Sequence, residues 1–122
     1  MKYVCLAYEE EGAFATMSAG DWAALRRETL DYVEELKARG QLVLAEPLQS
    51  VKTASTVRVR DARVHVTDGP FAETRETLGG IILIDVADLN EAIQVASKWP
   101  SARLGSIEVR PLEPGLREDT RY

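Results

Sequence analysis

The chain has 122 residues, of which 45% are hydrophobic and 29% charged, a composition that suits one soluble domain with its own core. Its net charge of −5, from 15 basic and 20 acidic residues, comes without the clustered cations that displace counterions from nucleic acid, so nucleic-acid binding is not expected. No apolar run approaches the roughly 18 residues of a membrane span, and MKYVCLAYEEE has neither the long apolar region nor the cleavage site of a signal peptide. A cytoplasmic protein with no membrane partner is therefore expected.

Lys2 to Tyr8 is a near-continuous apolar run, as in a central strand covered on both faces. Cys5, the only cysteine, lies inside it and reads as a buried small hydrophobe. Residues 9 to 17 read as an acidic, glycine-containing connection. Ser18 with Asp21 resembles a capping box that opens an amphipathic helix. Trp22, Leu25, Thr29, Tyr32, Val33 and Leu36 recur at helical spacing, and Gly40 supplies the stop. LVLAEPL (42–48) is a second strand, and Pro47, with no N–H to donate, assigns it to an edge or a bulge.

Residues 56–60 and 63–67 alternate apolar and polar around Asp61-Ala62, which predicts a β-hairpin. A two-residue loop places Val59 opposite Val64, Val57 opposite Val66, and Arg58 opposite His65 on the other side. Ala62 stands where glycine is easier, so the turn is either strained or of another type. The segment TDGPFAETRETLGG (67–80) reads as a charged loop before the buried strand IILIDV (81–86). Its Gly79-Gly80 pair suggests a bulge or close backbone approach. Asp88 and Glu91 open a second helix with Leu89, Ala92, Ile93, Ala96 and Trp99 on one side, and Pro100 ends it. SIEVRP (106–111) is the last strand. One domain over residues 1–112 and a loose tail over 113–122 are expected.

With the hairpin taken as an insertion, the order is α+β of the ferredoxin-like type, β-α-β-β-α-β. Two helices cover one face of the sheet and no segment remains for the other. A second copy of the chain is the simplest cover, so a homodimer with sheets face to face is expected.

The MKYVCLAY strand, AEPLQ, VRVRDARVHVTDGPFAETRETLGG and the closing GSIEVRP resemble the DGPF-domain branch of the YCII-related family from residue 1 to about 112. The resemblance implies a ferredoxin-like fold assembled as a dimeric α/β barrel. Better-understood members of the wider family are similar to small lyase-type enzymes that use a His–Asp pair. Matching on residues 42–47 puts Thr29 where their helical histidine lies and Glu46 where a glycine is frequent. That histidine-based mechanism is therefore not carried over.

The residues offer other candidates. His65, opposite Arg58 on a polar strand face, has the chemistry of a general base or a ligand contact. Glu46 interrupts an apolar strand, and a carboxylate there has to be paired or line a cavity. Asp68 is a turn former or an acid–base group, with Gly69 and Pro70 completing the turn. Phe71 is expected to anchor the loop in the core. Arg75, between Glu73 and Glu76, is expected to be held by charge-assisted bonds as a polar wall. A pocket bounded by the hairpin, the loop and Glu46 follows, with His65, Glu46 and Asp68 as catalytic candidates. Arg58, Phe71, Glu73, Arg75 and Glu76 are its substrate contacts.

One histidine and one cysteine, far apart, make no zinc site, and neither phosphate-cradling nor dinucleotide glycine motifs occur. No metal or cofactor is expected. The expected function is a small-molecule enzyme, lyase or isomerase, working by general acid–base chemistry. The alternative is a non-catalytic ligand-binding or regulatory module, linked through the family to sigma-factor-type transcription control.

Overall fold

The computed structural model describes residues 1–115, and the chain order is β1 (Lys2–Glu9), α1 (Glu11–Ala15), α2 (Ala19–Ala38), β2 (Leu42–Pro47), β3 (Ser55–Arg60), β4 (Arg63–Asp68), β5 (Thr77–Asp85), α3 (Leu89–Ser97) and β6 (Ser106–Pro111). Short 3-10 turns at Val51–Thr53 and Pro100–Arg103 complete it. The expected loose tail over 113–122 lies outside the described residues beyond Gly115.

Strands β2, β5, β1 and β6 form one antiparallel sheet in that spatial order, and β3 and β4 form a separate ribbon. This is the ferredoxin-like α+β arrangement with the hairpin inserted before the third sheet strand. In β1 the side chains alternate: Tyr3, Cys5 and Ala7 are buried, whereas Val4, Leu6 and Tyr8 on the opposite face are only partly covered. The reading of β1 as covered on both faces is thus corrected for the single chain, because both long helices lie on one side. Their core includes Tyr32 and Leu36 of α2, Ile82 and Ile84 of β5, and Ala92, Val95 and Ala96 of α3. Burying a side chain such as Leu36, which is 0% exposed, contributes roughly 1.5–3 kcal/mol.

Helix α2 starts where its cap requires, with Ser18 Oγ accepting the Asp21 N–H at 3.1 Å. The connection over 9–17 is not irregular throughout. It contains the single-turn helix α1, whose Phe14 ring meets Trp22 edge-on at 5.8 Å. In α3 the buried stripe is Ala92, Val95 and Ala96, while Leu89 and Ile93 are 49% and 51% exposed. Ala92, Ala96 and the partly buried Trp99 face the core as the spacing suggested, and Val95 is buried where Leu89 and Ile93 were expected. Asp88 Oδ1 accepts the Glu91 N–H at 2.9 Å, as the motif predicts.

Pro47 ends β2, which is an edge strand with an irregularity between Leu42 and Leu44. The hairpin register is the one read from the alternation: Val57 faces Val66, Val59 faces Val64, and Arg58 faces His65. Asp61 and Ala62 have φ of 51° and 60°, the two positive values of a type I′ turn, so the turn type is the common one and Ala62 bears the strain. The charged loop is shorter than 67–80: β4 runs to Asp68 and β5 starts at Thr77. Gly79 is skipped where Ala7 pairs with Gly80 and Tyr8 with Leu78, a bulge at the glycine pair.

Candidate functional site

The loop over 69–76 joins the base of the hairpin to the end of the main sheet. Gly69 takes a φ of 110°, its N–H donates to Ala54 O at 2.8 Å, and Thr56 Oγ1 donates to Gly69 O at 2.8 Å. These bonds fix the start of the loop against β3. Phe71, expected in the core, is instead 81% exposed. Its ring lies 5.8 Å from the Arg58 guanidinium, a cation–π contact that holds it on the polar side of the hairpin.

The expected wall of Arg75 between Glu73 and Glu76 is also corrected. Arg75 Nε donates to Glu10 Oε1, across 65 positions of sequence. Glu76 Oε1 accepts from Ser106 Oγ at 2.8 Å, and Glu73 is exposed. The loop is therefore tied down from both sides, by the end of β1 and the start of β6. Asp68 stands at the end of β4 opposite Ser55, and its carboxylate has no hydrogen bond among the described residues.

Three consecutive glutamates leave the end of β1 in different directions. Glu10 receives Arg75. Glu11 accepts the Val51 N–H at 2.6 Å and Ser50 Oγ at 2.8 Å, and those bonds, the backbone one first, hold its carboxyl below the ordinary value. Glu9 is partly buried, and its carboxylate has no donor among the described residues. Burial pushes its carboxyl above the ordinary value, and the charge of Glu11 adds to the rise. The Glu9 side chain occupies the space above Gly79 that a Cβ there would take. Sequence reading missed Glu9; its signal was the run of acids ending an apolar strand, joined with a glycine pair elsewhere.

Glu46 is on β2 opposite Ile81, on the sheet face without helices. No hydrogen bond or ion pair links it to the hairpin among the described residues. His65 and Arg58 are brought together, and Arg58 with Phe71, but Glu46 stands apart from that group.

A polar groove lies between α2 and α3, lined by residues including Tyr32, Gln41, Glu91 and Lys98. Its groups are largely spent on capping: Glu91 accepts from the Ala87 N–H at 3.2 Å and from Gln41 Nε2 at 2.5 Å. Gln41 Oε1 is buried there without a partner. Among the described residues, no three or more His, Cys, Asp and Glu gather as metal ligands, and no helix is long and apolar enough to cross a membrane.

Comparison with known proteins adds three findings. The YCII-related domain matches residues 1–114. The uncharacterized protein R00369 of Rhizobium meliloti (strain 1021) is 35% identical over 114 residues, covering 92% of each chain. The fold is similar to that of 5-chloro-2-hydroxyhydroquinone dehydrochlorinase (TftG) from Burkholderia phenoliruptrix AC1100, solved in complex with 2,5-dihydroxybenzoquinone. The TM-score is 0.56 at 15% identity, over 94% of this chain and 96% of that one.

Proposed function

The chain belongs to the YCII-related domain family, and on that premise we propose that it is a small-molecule enzyme of the lyase or isomerase type, acting by general acid–base chemistry. The observation that carries this reading is Glu9. A carboxylate that is partly buried, without a donor and raised in pKa is a stronger base than a solvated one, and raised carboxyls of this kind concentrate at catalytic sites. Glu9 takes the role of proton acceptor. Arg75 and Glu10 hold the loop beside it, and His65, Asp68 and Glu46 remain the further acid–base candidates. Arg58, Phe71, Glu73, Arg75 and Glu76 are the ligand contacts. Support for the class also comes from the shared fold, which in TftG houses a dehydrochlorinase of a hydroxylated aromatic ring.

The same reading takes residues 1–112 as one domain of a cytoplasmic homodimer. Its support is the helix-free sheet face, where Val4, Leu6, Ile81 and Leu83 are only partly covered. Neither the fold nor the matched relatives support the regulatory alternative linked to sigma-factor-type control.

Deuterium wash-in tests the chemistry whatever the natural substrate is. Hydroxylated quinones, beginning with 2,5-dihydroxybenzoquinone, and other small molecules with acidic C–H bonds are incubated with the protein in D₂O and followed by NMR. Wild-type protein is expected to accelerate exchange of at least one bound compound, and Glu9→Gln to bind it without exchanging it. Binding with no exchange across the whole panel would identify a non-catalytic module.

A further inference from the structure

The two sides of the hairpin differ in charge. Residues 55–68 hold Arg58, Arg60 and Arg63 against Asp61 and Asp68, or +3 − 2 = +1. The register separates these groups. Arg60 faces Arg63, Arg58 faces His65 and Thr56 faces Thr67 on one side, whereas Asp68 and Ser55 fall on the valine side. Asp61 stands in the turn. The arginine side therefore has three guanidiniums, one imidazole and no carboxylate. Elsewhere in the described chain arginines are matched: Arg27, Arg39, Arg75, Arg103 and Arg110 each hold a carboxylate. Arg58, Arg60 and Arg63 make no ion pair among the described residues. Arg60 donates from Nη1 only to the adjacent Val59 O at 3.0 Å, and Arg58 rests on the Phe71 ring. Like charges directly opposite, as in Arg60 and Arg63, destabilise a ribbon unless something lies between them.

We propose that this side of the hairpin binds a small organic dianion, its acidic groups carboxylate or phosphate. One group lies between Arg60 and Arg63, where two guanidinium forks meet its oxygens and the like-charge repulsion is relieved. The other lies between Arg58 and His65. There the Phe71 ring holds the guanidinium in place and the imidazole donates an N–H. Successive same-side pairs of a ribbon are about 7 Å apart, which favours a ligand whose two acidic groups are separated by a short spacer. A nucleic-acid strand fits less well, because the chain outside residues 55–68 carries −5 − 1 = −6 and repels a long polyanion. A small dianion touches the ribbon alone. The inference deepens the reading of the preceding subsection by naming the charge of its ligand and adding Arg60 and Arg63. It rests on that reading for Arg58 and Phe71 as contacts.

The test titrates the full chain by calorimetry and ¹⁵N NMR with terephthalate and butanediol bisphosphate, and with their single-group counterparts benzoate and butyl phosphate. At least one two-group probe is expected to bind about tenfold or more tightly than its counterpart and to shift the amides of residues 56–67. The tighter of the two tells carboxylate from phosphate. Arg60→Gln with Arg63→Gln is expected to weaken that binding about tenfold or more. Arg26→Gln with Arg27→Gln removes the same charge from α2 and is expected to leave it nearly unchanged. Arg60→Lys with Arg63→Lys keeps charge and ribbon, and should retain part of the affinity if the glutamine pair disturbs the hairpin. No binding of either two-group probe, equal weakening by both glutamine pairs, or tighter binding of oligothymidylate would overturn the inference. Deuterium wash-in decides the enzymatic reading separately. Dianion binding without exchange leaves the anion site and removes the enzyme, and exchange indifferent to Arg60 and Arg63 does the reverse.

Discussion

The carboxylate of Glu9 lies where the side chain of any residue other than glycine at position 79 would begin. Two features far apart in sequence, the acids that end β1 and the glycine bulge in β5, are therefore one arrangement. The bulge removes a side chain and Glu9 folds over the backbone that is left.

Gly79→Ala tests that arrangement. The obstructing atoms are the end of a flexible side chain, so the cost to stability is expected to be small, while Glu9 is displaced toward water. Burial, and then the charge of Glu11, raise the Glu9 carboxyl; a ¹³C-detected NMR titration should find it raised in wild type and closer to its ordinary value in the variant. A carboxyl raised in the folded state binds its proton more tightly there than in the unfolded chain, so its stabilising contribution is full below the unfolded pKa and is lost as pH rises through the folded one. Glu9→Gln should therefore flatten the decline of stability over that interval in urea titrations at several pH values. An unchanged pH profile would mean that Glu9 is solvated.

The hairpin turn makes a second prediction. Ala62 at a φ of 60° carries the penalty of a Cβ in left-handed backbone. Ala62→Gly removes it, partly offset by the greater freedom of glycine in the unfolded chain, for a net gain of about 0.5–1 kcal/mol. Amide hydrogen exchange at Val59 and Val64 is the suitable probe, because the ribbon can open without global unfolding. Slower exchange in the variant is expected, and faster exchange would contradict the turn geometry.

Stability should separate core from site. Leu36→Ala, at a fully buried position, is expected to cost about 2–5 kcal/mol. Phe71→Ala should cost far less, about 1 kcal/mol or under, since its ring is mostly exposed and its partner is the Arg58 cation. Arg75→Met should also change stability little, as exposed ion pairs contribute only about 0–1 kcal/mol, while impairing ligand binding. Thermal melts beside a binding assay report both. A large stability loss in Arg75→Met would make the loop a structural brace.

Cys5 supplies a prediction about reactivity. Burial pushes its thiol from 9.0 up to about 11, so near neutral pH the thiolate is about 100-fold scarcer than for a free cysteine. Ellman's reagent should react slowly with the native protein and rapidly in urea. Fast native reaction would show that β1 opens readily.

How much of this was written in the sequence depended on the range of the interaction. The hairpin register was legible because valines at period two and a two-residue turn leave one pairing that puts all four on one side. The caps at Ser18 and Asp88 were legible because a cap involves residues three positions apart. The ferredoxin-like class followed from the order of elements, and Pro47 pointed to an edge or a bulge; the structure puts β2 at the edge. Tertiary structure alone decided the partners of the charged loop. Charge alternation around Arg75 suggested neighbours, but the guanidinium reaches Glu10, because sheet pairing carries the end of β1 alongside the loop. It decided as well that Phe71 turns to Arg58 and that Glu9, among three adjacent glutamates, is the one without a donor. Nearest-neighbour periodicity is insensitive to such choices; a single bulge at Gly79 shifts the register and settles which side chains share the same space.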